Sequence, residues 1–160
     1  MSHVRGPQMS PKDLEEETGY RFRNPELLEM ALSHHPAVSA GFTKNPDPME
    51  PLATLGETIL DTLIATRLYE RGDRERGTLT PEMVRRAKHA RSRRFGEKIP
   101  FRKYIRWEDE EGKSWAQTKR ASDTVFKAFT GAVYLDARRD RMDGMEVVRE
   151  MLERWGYFGK

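Results

Sequence analysis

An all-α fold is what this chain predicts, on three observations. Apolar residues recur at three- and four-residue spacings in several long runs, as amphipathic or buried helices require. Ser10-Pro11, Asn24-Pro25 and Thr80-Pro81 each place an N-capping side chain before a proline, whose missing N–H costs nothing in a first helical turn. No segment alternates apolar and polar residues with a period of two, so no half-buried strand is signalled.

Residues 1–10 carry no pattern and read as a flexible N-terminal tail, leaving 11–160 as a single domain. Ser10-Pro11 opens a short helix to about Glu17. Asn24-Pro25 opens the next, on which Leu27, Leu28, Ala31 and Leu32 share a face. Residues 36–47, rich in Pro, Gly and Asn, predict a loop. From about Pro48 to Arg71 runs the longest pattern. Leu52, Leu55, Ile59, Thr62, Leu63 and Ala65-Thr66 form a stripe broad enough for a helix buried on most sides, closed by Gly72. Thr80-Pro81 begins a helix to about Phe95, Phe101 to Trp107 predicts a short helical turn, and 108–114 an acidic loop. A second buried helix spans about 117–137, with Val125, Phe126, Phe129, Val133 and Tyr134, and Met145 to Trp155 is the last.

Hydrophobic residues make up 36% of the chain and charged ones 34%, a balance that would suit disorder if the apolar residues were not grouped. Their periodic grouping argues for a folded domain with a densely charged surface. There is no cysteine, which excludes disulfides, zinc-thiolate sites and thiol chemistry. No apolar run approaches the length of a membrane span and the first ten residues lack a signal-peptide core, so a cytoplasmic location and no membrane partner are expected.

Two constellations carry charge that function can use. Glu50, Glu57 and Asp61 are spaced by seven and four, on one helical face, and are the candidate catalytic acids. The plainer reading of Asp61 is an ion pair with Arg67 or a neighbouring helix. Between Arg85 and Lys103 lie nine cations in nineteen residues, a density expected of a nucleic-acid footprint. Arg85, Arg86, Lys88, Arg91, Arg93 and Arg94, extended by Lys119 and Arg120, are the candidate RNA-binding residues. A solubilising face balanced by the acidic stretch 108–111 is the alternative.

Tyr20, Phe22, Asn24, Leu27, Leu28, Ala31, Leu32 and His34 fit a YxFxNxxLLxxALxH pattern. Leu52 to Leu60 stands where LEFLGDxVL is usual, and Thr124 to Asp136 where DxFEAxxGAxYLD is usual. In order and spacing, over roughly residues 12–155, the chain resembles the ribonuclease III catalytic domain. The resemblance implies that family's helical fold, with no separate double-stranded-RNA-binding domain in this chain. It also implies cleavage of double-stranded RNA by magnesium ions on four carboxylates, whose positions here are Ala53, Glu57, Thr124 and Lys127. Only Glu57 is acidic. Lys127 is therefore expected to pair with Glu57, while Asp123, one residue early, should point elsewhere. The mini-ribonuclease III branch offers some likeness, with an Asp and a Glu four residues apart on the first helix and Thr near Thr124, but it keeps the Glu that is Lys127 here. The family dimerises, commonly through an aromatic residue where this chain has Thr54, and its His at His34 is structural.

The resulting expectation is an RNA-binding, catalytically degenerate domain in RNA processing or ribonucleoprotein assembly, acting as a homodimer on structured or double-stranded RNA without a cofactor. Whether it is an enzyme stays open. The alternatives are a magnesium-dependent double-strand-specific endoribonuclease using Glu57 with Glu50 or Asp61, and a protein-interaction scaffold without RNA binding.

Overall fold

Cap chemistry sets where five of the helices begin. In the computed structural model, which describes residues 9–34, 48–72, 79–107, 110–139 and 142–159, there are seven α-helices. They are α1 (Pro11–Thr18), α2 (Pro25–Leu32), α3 (Met49–Glu70), α4 (Pro81–Lys98), α5 (Glu110–Ala116), α6 (Lys119–Arg138) and α7 (Gly144–Arg154), with a 3₁₀ turn at Phe101–Tyr104. Ser10, Asn24 and Thr80 each accept a hydrogen bond from a first-turn N–H of the proline-led helices α1, α2 and α4. Thr118 and Asp143 do the same for α6 and α7. The described residues contain no strand; a parallel bridge joins Ser33 to Arg106. Among them no helix is long and apolar enough to cross a membrane. Residues 1–8 of the expected tail (1–10) and the expected loop (36–47) lie outside the described residues, while Ser10 is the N-cap of α1.

One expectation is corrected. The acidic stretch is not all loop, because Glu110–Ala116 is helical. Glu110 and Glu111 lie in its first turn, where carboxylates favour a helix, and Trp115 in its last turn stacks on His34 at 3.8 Å. Tertiary packing thus recruits a segment whose local composition reads as loop. The stacked ring of His34 agrees with its structural reading.

Helix α6 is the axis of the molecule, packed by α2, α3, α4, α5 and α7. Its crossing with α3 is closest of all and depends on two glycines. A Cβ on Gly56 would sit 1.8 Å from the Lys127 carbonyl oxygen, and one on Gly131 would sit 2.3 Å from that of Leu52. Both are far inside contact distance, so only glycine lets these backbones meet. Around the crossing Phe22, Phe101, Phe126, Phe129 and Tyr157 fill the interior, with Phe101 and Phe129 rings 5.4 Å apart and Phe126 stacked on Tyr157 at 5.8 Å.

At the far end of α6 the fully buried Asp136 ties the chain's beginning to this axis. Its carboxylate accepts from Tyr20 Oη (2.7 Å), Arg23 N (2.9 Å) and Asn24 N (2.8 Å). Tyr20 and Asn24 belong to the first of the three sequence patterns and Asp136 ends the third. These bonds join the first pattern to the third in space.

Candidate functional site

Because Gly56 and Gly131 let α3 and α6 touch, Glu57, the residue after Gly56, faces Lys127 across the crossing. Lys127 Nζ lies 3.5 Å from Glu57 Oε1 and 2.9 Å from Asp123 Oδ2, one turn back on its own helix. Helix α4 contributes a second ammonium. Lys88 Nζ is 2.9 Å from the same Glu57 oxygen and 2.8 Å from Asp61 Oδ1. The result is an alternating chain of charges, Asp61–Lys88–Glu57–Lys127–Asp123, pinning three helices. Three carboxylates and two ammoniums leave it one negative charge overall. The two lysines are buried, 4% and 9% exposed, whereas the Glu57 and Asp61 side chains keep 43% of their surface in solvent.

The electrostatics follow from this geometry. The Lys88 hydrogen bond, helped by the charges of Lys127 and Lys88 and opposed by partial burial, holds the Glu57 carboxyl below its ordinary range. Burial works against the Lys88 ammonium, but its bonds to Asp61 and Glu57 outweigh that and raise its pKa. Both groups are thus held charged.

The positions that the resemblance marks for metal ligands have other occupants. Ala53 is buried, and Thr124 returns its hydroxyl to the Arg120 carbonyl of its own helix at 2.9 Å. Among the described residues, no group of three or more His, Asp or Glu side chains gathers to hold a metal ion. Glu50 sits exposed in the first turn of α3, about 10 Å along the axis from Glu57, outside the cluster. Asp61 does find its partner on a neighbouring helix. Asp123 departs from the expectation: it turns into the cluster, because Lys127 one turn on draws its carboxylate inward.

The cationic stretch also divides on inspection. Lys88 is not part of an exposed strip, being enclosed by Glu57 and Asp61. Arg85 and Arg86 both bond Glu82, at 2.7 and 3.0 Å, and these bonds draw the Glu82 carboxyl down to about 2. Arg93 joins Lys119 and Arg120, with His89, around a cleft of about 350 Å³ between α4 and the start of α6. Asp123 lines the same cleft, so it adjoins the ion cluster. Arg91 and Arg94 lie on the other edge of α4. His89 was legible in the sequence only as a member of the basic run; its place in the cleft needed the fold.

The same helical architecture is found in a solved structure of a nuclease domain. The nuclease domain of ribonuclease III from Campylobacter jejuni superposes with a TM-score of 0.69 at 20% identity, over 91% of this chain and 94% of that one. The model of the ribonuclease III domain matches residues 50–138. Ribonuclease 3 of Listeria innocua is 30% identical over 145 residues, covering 89% of this chain and 61% of that protein. Ribonuclease 3 of Alkalilimnicola ehrlichii is 35% identical over 135 residues, covering 82% and 56%. This chain belongs to the ribonuclease III domain family. It spans about 61% of the length of the Listeria relative.

Proposed function

We propose that this domain binds structured, double-stranded RNA, in RNA processing or ribonucleoprotein assembly, without cleaving it through bound magnesium. The observation that carries this reading is the pair of buried lysines, Lys88 and Lys127, on the sole acid retained at the family's metal-ligand positions. Magnesium takes oxygen ligands and tolerates little distortion. Here one of the four positions offers a carboxylate, and that carboxylate already has two ammoniums within 3.5 Å. Ala53 has no donor, the Thr124 hydroxyl is directed to its own helix, and Lys127 brings a positive charge. These residues do not fit a magnesium centre. The cleft of Arg93, Lys119, Arg120 and His89 beside the cluster supports backbone binding that outlasts the chemistry.

A second copy of the chain is the protein partner we propose. Helix α3 presents Thr54, Thr58, Thr62 and Thr66, all exposed and four apart, as one straight ridge. The hydroxyls of Thr58, Thr62 and Thr66 donate to carbonyls of their own helix at 2.8, 3.1 and 2.7 Å. A facing helix therefore meets β-branched surface whose hydroxyl protons are engaged. The related Campylobacter jejuni nuclease domain has a region involved in dimer formation.

Incubating the protein with duplex RNA and Mg²⁺ or Mn²⁺, beside Glu57→Ala, tests the central reading. Salt-sensitive binding without cleavage is expected, and Arg93→Gln should lower the salt slope by about one. Cleavage that disappears in Glu57→Ala would sink it.

A further inference from the structure

Arg85, Arg86, Arg106 and Arg149 each hold the carboxylate of a nearby glutamate. The cleft between α4 and the head of α6 is lined differently. Arg93 comes from α4, Lys119 and Arg120 from α6, and none of the three makes an ion pair with a described residue. His89 joins them, likewise without a hydrogen bond to any described residue. The acid in the cleft does not answer these cations, because Asp123 gives its Oδ2 to Lys127 at 2.9 Å. Lys119 and Arg120 also stand in the first turn of α6, where the helix dipole favours anions over cations.

Charge and shape both describe what the cleft takes. Three cations, set against the single net negative charge of the adjoining ion cluster, leave two positive charges. A phosphate within a nucleic-acid backbone carries one negative charge and meets half of that excess. A terminal phosphate monoester carries about −1.5 to −2 near neutral pH and matches it. The volume, about 350 Å³, falls at the small end of the range for ligand pockets. A backbone that continues in both directions lies across a cleft of this size, whereas a strand end can enter it. Once inside, the Arg93 and Arg120 guanidiniums can bond phosphate oxygens in pairs, Lys119 adds a point charge, and the imidazole of His89 offers an N–H.

We propose that this cleft reads strand ends: Arg93, Lys119, Arg120 and His89 bind the phosphate-monoester end of an RNA strand. This rests on the RNA-binding reading above and narrows it, from a backbone in general to strands that end in phosphate.

The test compares short RNA duplexes of one sequence that differ only at their ends: hydroxyl, 5′-phosphate, 3′-phosphate, and each phosphate closed by a methyl ester. Affinity for the full chain is read by fluorescence anisotropy at fixed salt. A phosphate at one of the two ends should tighten binding about tenfold over the hydroxyl-ended duplex, as one added charge-assisted contact does. The methyl ester, similar in size but one charge poorer, should bind like the hydroxyl end. Arg93→Gln/Lys119→Gln, both positions exposed, should bring the ratio of phosphate-ended to hydroxyl-ended affinity close to one. Arg93→Lys/Lys119→Arg should keep most of the preference, and a melting curve shows that each variant is folded. Equal binding of hydroxyl-ended and phosphate-ended duplexes by the wild type overturns the proposal and leaves RNA binding intact. So does an unchanged preference in the folded Gln variant, and a methyl ester that binds as tightly as the free phosphate overturns the charge match. Adenosine monophosphate that displaces the duplex end at equal concentration would assign the cleft to free nucleotides instead. A wild type that binds no duplex at all would remove both readings.

Discussion

Two carboxylate sites lie about 13 Å apart along α6, and they are built on opposite principles. Asp136 is fully buried and balanced by neutral donors, two backbone N–H groups and a tyrosine hydroxyl. Glu57 is half-exposed and balanced by two buried ammoniums. The first arrangement fixes chain geometry, since backbone donors cannot move without moving the fold. The second cancels charge, and charge can be rearranged while the helices stay in place. The difference shows two ways in which this fold holds a carboxylate: by hydrogen bonds that fix the path of the chain, and by charges that cancel at a helix crossing.

The comparison breaks most readily at the anchor. Asp136→Ala leaves three donors without an acceptor and should destabilise the protein by about 3 kcal/mol, at 1–3 kcal/mol for each buried group that water does not reach. Urea unfolding reads this directly, and a loss below about 1 kcal/mol would deny Asp136 its structural role. Next in size is a restored centre. Ala53→Glu, Thr124→Asp and Lys127→Glu, combined with Lys88→Met, return the acids and remove both ammoniums. Saturating Mg²⁺ at one hundred times its Kd should then stabilise that variant by about 2.7 kcal/mol, seen as a rise in Tm. The wild type should show no such rise; an equal rise in both would mean that magnesium has a site in the natural sequence.

Glu57→Gln should cost only about 1 kcal/mol, since Lys88 keeps Asp61, Lys127 keeps Asp123, and the half-exposed carboxylate is screened by solvent. A loss as large as that of Asp136→Ala would show that the cluster is as structural as the anchor. The finest distinction is in pH. Glu57 has a depressed folded pKa, so its contribution is complete above its ordinary value of 4.5 and is lost as pH falls through the folded value. Lys88 has a raised folded pKa, so its contribution is complete below 10.5 and is lost as pH rises through the folded value. The stability difference between wild type and Glu57→Gln should therefore be flat near neutrality and shrink in acid. A difference that grows as the pH falls below 4.5 would contradict the ion-pair assignment.

Much of this was readable from residue order. The helix starts at Pro11, Pro25 and Pro81 follow from local cap chemistry, which needs no distant partner. The pairing of Glu57 with Lys127 followed from register against the family pattern, and the structure brings those two groups within 3.5 Å. Helix α5 was not legible, because its stability comes from contacts such as Trp115 on His34 and not from its own acidic sequence. Lys88 was misplaced for a related reason. In a run of basic residues the sequence does not show which cation points inward; that depends on how α4 rolls against α3 and α6.

The sequence by itself determined the helical periodicity, the caps, the two glycines and the identities of Ala53, Thr124 and Lys127, because each is a property of neighbouring residues or of identity at one position. Only the tertiary structure decided which charges gather around Glu57. Long-range packing brought Lys88 across thirty-one residues to Glu57, turned Asp123 inward, and parted one basic stretch into a cleft on one side of α4 and an arginine edge on the other.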